Sequence, residues 1–286
     1  MNLRQATARS ALAAAGLLAG VAAAQAETQL ERGEYLVRVV AACGNCHTPF
    51  GPQGPDMSQE LAGRLVEKNP AFEAWAPNIT PDAETGVGAW SDAELKKAIR
   101  EGVRPDGTII GPPMPIGFYR SLGDDDLDAM VAFLRTVAPV KNEVPASTYA
   151  IPLPPSYGPP VESVTAPARG VTAEYGEYLA GPVAHCMECH TKFGPAGPMV
   201  STHLGSGGNE FHGPWGTSVS ANLTPSADGI AGRSDDELVA MIREGIRDGK
   251  PMLPPMGYGY YAQMTDDDVH AIIAYLRTLP PLATPE

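Results

Sequence analysis

Two pentapeptides decide how this chain is read: Cys43-Gly44-Asn45-Cys46-His47 and Cys186-Met187-Glu188-Cys189-His190. Together they hold all 4 cysteines of the 286-residue sequence. Each is a C-x-x-C pair followed at once by histidine, the signal for covalent attachment of a c-type haem. Two thiols on one helical turn can each bond one vinyl group of the porphyrin. The next residue then lies beneath the iron. A redox C-x-x-C has no need of the histidine, and a zinc site needs two further ligands nearby, which neither stretch supplies. With every cysteine in these motifs, none is left for a disulfide framework.

Comparing the chain with itself shows that the motifs belong to a longer repeat. Gly33-Glu34-Tyr35-Leu36 recurs as Gly176-Glu177-Tyr178-Leu179, and Asn78-Ile79-Thr80-Pro81 as Asn222-Leu223-Thr224-Pro225. Pro112-Pro113-Met114 recurs as Pro254-Pro255-Met256, and Asp124-Asp125-Asp126 as Asp266-Asp267-Asp268. Phe133-Leu134-Arg135-Thr136 returns as Tyr275-Leu276-Arg277-Thr278. The offset is nearly constant, so this is a tandem duplication. The expected division is a signal segment at 1–26, a first domain at 27–140, a proline-rich linker at 141–169 and a second domain at 170–286. Proline lacks a backbone donor, so the stretch between the copies should run extended. It reads as a loose linker or as a strap across both domains. Tyr149, Ile151, Leu153 and Tyr157 are apolar anchors that favour the strap.

Arg4 and Arg9, the small apolar run at 11–24 and Ala24-Gln25-Ala26 spell a secretory signal cleaved near Ala26. The run is too short and too rich in alanine for a stable membrane span. The mature protein is therefore expected in a bacterial periplasm. The full chain carries a net charge of −13, and loss of the two arginines makes it more acidic still. Such a surface excludes nucleic acid as a partner and points to a basic protein surface.

Each copy reads as a small helical domain. First helices are expected over about 29–40 and 172–181. Ser91 with Glu94, and Ser234 with Glu237, form capping boxes for a second helix, which Gly102 and Gly245 stop. The acidic triplets open the last helices, where first-turn acids suit the macrodipole; a docking patch or a calcium site is the competing reading. Leu127, Met130, Val131 and Leu134, and Val269, Ile272, Ile273 and Leu276, follow helical spacing. Few segments alternate as strands do. The fold class is mostly α with long Gly/Pro loops.

His47 and His190 are the expected proximal iron ligands. A thioether on the other side raises the potential by favouring Fe(II). Met57, Met114 and Met130 compete in the first domain. Met130 falls on a core face and Met57 follows the motif too closely. Met114 sits in a rigid loop, Gly111-Pro112-Pro113-Met114-Pro115. In the second domain Met256 aligns with Met114 when counted back from Tyr261 and Tyr119, and Met252 aligns with Ile110. His203 or His212 could reach a second iron, and with His185 and His270 they read instead as surface or haem-edge residues.

Several stretches carry a family resemblance: Arg32-Gly33-Glu34-Tyr35-Leu36, Cys46-His47-Thr48, Asn78-Ile79-Thr80-Pro81-Asp82, Gly86-Val87-Gly88-Ala89-Trp90-Ser91, Pro113-Met114-Pro115 and Phe133-Leu134-Arg135. They resemble the cytochrome c subunits of bacterial periplasmic alcohol, sorbitol and gluconate dehydrogenases, and similar subunits of molybdenum hydroxylases. The resemblance implies two tandem class I cytochrome c domains and two covalently bound haem c groups. It implies that Gly33 and Gly176 lie where first and last helices cross, that Asn78 and Asn222 sit near the haem propionates, and that Met114 and Met256 are the distal ligands. It departs at Trp90, which Arg233 replaces in the second copy. The implied function is electron transfer from a dehydrogenase or other donor to a cytochrome or oxidase acceptor. The alternative is a di-haem enzyme such as a cytochrome c peroxidase, which needs one haem with an open position.

Overall fold

A computed structural model describes residues 27–52, 54–195 and 197–286. The expected signal segment lies outside the described residues.

Each copy opens on a threonine cap. Thr28 accepts from the Glu31 N–H and closes a full capping box ahead of helix Gln29–Tyr35. Thr172 accepts from the Tyr175 N–H ahead of helix Ala173–Tyr178. Both helices then widen into a π-turn, Leu36–Val40 and Leu179–Val183. Two residues later the backbone is left-handed at Ala42 (φ 47°) and His185 (φ 44°). For a residue with a side chain this conformation costs about 1–2 kcal/mol. Its recurrence at matched positions ties it to the cysteine turn that follows.

The middle helices start on the expected boxes, Ser91 with Glu94 and Ser234 with Glu237, and stop at Gly102 (φ 69°) and Gly245 (φ 64°). In the first copy this helix is regular, Asp92–Glu101. In the second it breaks into Asp235–Val239 and a π-turn, Ala240–Glu244. The last helices, Asp124–Leu134 and Asp266–Leu276, bury the expected apolar stripes. First and last helices cross at Gly33 and Gly176. A Cβ there would lie 1.9 Å from the Ala129 carbonyl oxygen and 1.8 Å from that of Ala271, so only glycine permits the approach. Leu36 and Leu179, both fully buried beneath the crossings, each contribute roughly 1.5–3 kcal/mol.

There is more β-structure than the sequence patterns suggest. Strands Arg64–Lys68 and Phe72–Ala76 pair antiparallel, and Thr148–Tyr149 adds a third strand on Phe72 and Glu73. The second copy has short antiparallel pairs, Glu210–Gly213 with Gly216–Val219 and Ile246–Arg247 with Lys250–Pro251. Strands this short carry too little alternation to register in a sequence window, and the third arrives from far along the chain. The proline-rich residues bond along the first copy, where Asp124 N–H donates to Val164 O (2.8 Å) and Ala150 N–H to Ala71 O (2.8 Å).

The copies meet in a reciprocal seam. The Tyr178 hydroxyl donates to Asp126 (2.8 Å) and accepts from the Gly123 N–H (3.1 Å). In mirror fashion the Tyr35 hydroxyl donates to Asp268 (2.6 Å) and accepts from the Thr265 N–H (3.0 Å). The third acid of each triplet thus enters the seam, beyond the helix-capping role read from the sequence. A single apolar core continues through it, with Leu36, Val40, Leu179 and Val183 from the two π-turns.

Candidate functional site

The π-turn and the left-handed residue aim each cysteine turn inward. Cys43–His47 forms one helical turn. Cys186–Cys189 forms its counterpart, with His190 as the C-cap. No disulfide joins the cysteines. Burial pushes the Cys46 thiol up to about 11 and the Cys43 and Cys186 thiols up to about 12, with the neighbouring Cys46 adding to the effect at Cys43. These are neutral thiols, unlike the thiolates that bind metal or exchange disulfides.

Both histidines are buried. The Nδ1 of His47 lies 2.8 Å from Pro77 O and that of His190 lies 2.7 Å from Ala221 O. A carbonyl can only accept, so Nδ1 carries the proton and Nε2 is left as a free lone pair. Burial pushes His47 down to about 4 and His190 down as well, keeping both rings neutral. That is the state in which imidazole binds iron. The threonine after each histidine locks the next loop: Thr48 accepts from the Leu61 N–H (3.0 Å) and Thr191 from the Gly205 N–H (3.2 Å).

Asn78 and Asn222 are buried and act alike. The Asn78 amide donates to Val140 O (2.7 Å), and its oxygen accepts from the N–H (2.9 Å) and hydroxyl (2.7 Å) of Thr80. Asn222 donates to Leu282 O (2.8 Å), and its oxygen accepts from the N–H (2.8 Å) and hydroxyl (2.7 Å) of Thr224. Each pins the loop after the cysteine turn to the chain that leaves the last helix.

Among the candidate sulfurs, Met114 and Met256 are half-buried and packed on the core. Met130 is core and Met57 is 58% exposed. His203, His212 and His270 are engaged with exposed local partners, Thr202, Thr217 and the Asp266 carbonyl. His185 lies edge-on to Tyr119, ring centres 5.8 Å apart.

The cysteine turns adjoin the seam, which sequence reasoning missed. A Cβ on Gly44 would lie 2.9 Å from the ring and hydroxyl of Tyr260 in the other copy. Asn45 donates from Nδ2 to Pro255 O (3.3 Å), next to Met256. Arg64 donates to Asn45 O (2.7 Å) and lies over Phe50 at 4.5 Å, while its buried Nε has no partner. No repeat signal marks Arg64: Gly63 and Gly207 make the same bond to the two histidine carbonyls, so glycine follows where the second copy would need an arginine.

These residues fit a covalently held porphyrin. The thiols have helical spacing, the imidazole tautomer is fixed, a thioether loop is present in each copy, and an unpartnered guanidinium nitrogen lies beside the first turn. Such a pair of sites defines a di-haem protein of the helical, thioether-linked class. The sequence profile of the cytochrome c family matches residues 30–138 and 173–280, and the chain belongs to that family, with two covalently bound haem c groups.

Among its relatives, the chain is 34% identical to the cytochrome c subunit of a quinone alcohol dehydrogenase from Gluconobacter oxydans, over 96% of this chain and 60% of that protein. It is 30% identical to the fructose dehydrogenase cytochrome subunit of Gluconobacter japonicus, over 88% of this chain and 52% of that protein. It is 28% identical to a diheme cytochrome c-type protein of Cereibacter sphaeroides, over 88% of this chain and 86% of that protein. The chain thus spans about 60% of the length of the first relative. Among the described residues no helix is long and apolar enough to cross a membrane.

Proposed function

We propose that this protein is a periplasmic di-haem electron carrier that takes electrons from a dehydrogenase and passes them to a cytochrome or oxidase. When bound, each haem supplies a one-electron Fe(III)/Fe(II) couple. Cys43, Cys46, Cys186 and Cys189 hold the two groups. His47 and His190 supply the proximal nitrogens, and Met114 and Met256 the distal sulfurs. Asn78 and Asn222 lock the loops at the propionate edges. The domains are 27–140 and 170–286, with residues 141–169 as the proline-rich connection and 1–26 as the cleaved signal.

The observation that carries this reading is the reach of the first cysteine turn across the seam, where Asn45 of that motif bonds the loop of Met256 in the other copy. An arrangement of this kind suits passage of electrons between the two groups. The names of the relatives, subunits of alcohol and fructose dehydrogenases, support the donor class. The net charge of −13 favours a partner with a basic face and a rate that falls with salt.

A spectroelectrochemical titration tests the reading. Two one-electron steps are expected, with a near-infrared sulfur-to-iron band in the oxidised protein and no turnover of peroxide with a reduced donor. Enzyme-like peroxide turnover would overturn it.

A further inference from the structure

We propose that the proline-rich residues after the first copy clamp the Met114 loop, and that Tyr149 and Tyr157 are positioning residues for its sulfur; this rests on Met114 being the distal ligand. The Tyr149 hydroxyl donates to Pro112 O (2.9 Å) and the Tyr157 hydroxyl to Ile110 O (2.8 Å). These two carbonyls flank Gly111, three residues before the methionine. A Cβ on Gly111 would lie 2.5 Å from the Tyr149 ring and 2.8 Å from Leu153, so glycine is what admits the clamp.

The clamp is anchored at its other end. Tyr149 pairs with Phe72 in the three-stranded sheet, and their rings lie 6.0 Å apart. That strand runs to Ala76, and the next residue, Pro77, supplies the carbonyl that fixes His47. Tyr149 therefore ties the backbone that orients the proximal nitrogen to the loop that carries the distal sulfur. One short piece of chain thus braces the backbone beside both His47 and Met114.

The second copy is built differently. Leu253 stands where Gly111 stands in the first and is 48% exposed. The bonds to this loop are Ser218 Oγ to Pro254 O (2.6 Å) and Asn45 Nδ2 to Pro255 O (3.3 Å). Residues 282–284 fold back on Asn222, Thr224 and Asp228, away from the methionine loop. The bonds on the first loop come from half-buried phenols and are themselves partly shielded, and those on the second loop are exposed to solvent, so the first sulfur resists displacement more strongly.

The test uses the haem-loaded protein and imidazole as a competing ligand for the ferric irons, read by loss of the sulfur-to-iron band. Wild type should titrate in two phases, the tighter one belonging to the second haem. Met114→Ala should remove the weaker phase and its share of the band, which assigns that phase to the first haem. The double variant Y149F/Y157F keeps both rings and removes only the two bonds. At about 1 kcal/mol per bond, about 2 kcal/mol for the two, it should tighten imidazole binding in the first-haem phase about thirtyfold and leave the other phase unchanged. An unchanged first-haem phase in Y149F/Y157F, with the band share lost in Met114→Ala, overturns the clamp alone. A full band in Met114→Ala overturns the ligand assignment and the clamp with it.

Discussion

The two ends of the seam between the copies carry the same bonds on different foundations. At one end Asp126 accepts from Tyr178 and also from Arg32, through two bonds of 2.8 and 2.9 Å. At the other end Asp268 accepts from Tyr35, and the place of Arg32 is taken by Tyr175. Tyr175 is buried and lies 3.3 Å from Arg32, so one guanidinium serves the centre of the seam. The duplication kept the geometry of the interface and left its charge on one side. The same divergence recurs in the cysteine turns, where Gly44 lets Tyr260 lie on the first motif and Met187, its counterpart, fills its own copy and is 1% exposed.

The largest test of this asymmetry is Asp126→Ala against Asp268→Ala. The first strands Arg32 as an uncompensated buried charge and should cost about 3–5 kcal/mol. The second removes an acceptor from a neutral phenol and should cost about 1–3 kcal/mol. Denaturant unfolding of the haem-loaded protein measures both, and equal losses would remove the distinction. Next comes the pair Met187→Ala and Gly44→Ala. Truncating the buried methionine leaves a cavity and should cost about 2–5 kcal/mol. The added methyl at Gly44 presses on Tyr260 and should cost about 1–3 kcal/mol.

A pH series sharpens the first comparison. Burial alone would raise the Asp126 carboxyl, but the bond and charge of Arg32 more than offset this and hold it below its ordinary value. A depressed carboxylate contributes its stability fully above the unfolded pKa, about 3.9, and loses it as pH falls through the folded value. The gap in melting temperature between wild type and Asp126→Asn should therefore be widest near neutrality and narrow below about pH 4. The smallest effects belong to Tyr35→Phe and Tyr178→Phe, each expected to cost about 0.5–1.5 kcal/mol in the same unfolding assay. Tyr178 faces the ion-paired acid and should lie at the upper end.

Much of the fold was legible because its determinants are local. The capping boxes at Ser91 and Ser234, the stops at Gly102 and Gly245 and the apolar stripes of the last helices are set within a few residues. Duplication made the matched loops visible as well. The seam was not legible, since the third acid of a triplet looks the same whether it faces the helix dipole or a tyrosine in the other copy. The three-stranded sheet was hidden because Tyr149 pairs with Phe72, a residue far back in the sequence on the other side of the middle and last helices. At the site, the histidines and cysteines could be read from spacing. The carbonyls of Pro77 and Ala221 that fix the imidazole tautomer could not, because any backbone carbonyl could have served.

The most direct measurement is a count of haem against protein by the pyridine haemochrome method, after denaturation and extraction of any free haem, on material from a host that matures c-type cytochromes. Two haems that stay with each chain are expected, falling to one in Cys186→Ala/Cys189→Ala with the first copy still coloured. A wild-type chain that retains one haem, or releases either into acid acetone, would contradict two thioether-linked groups.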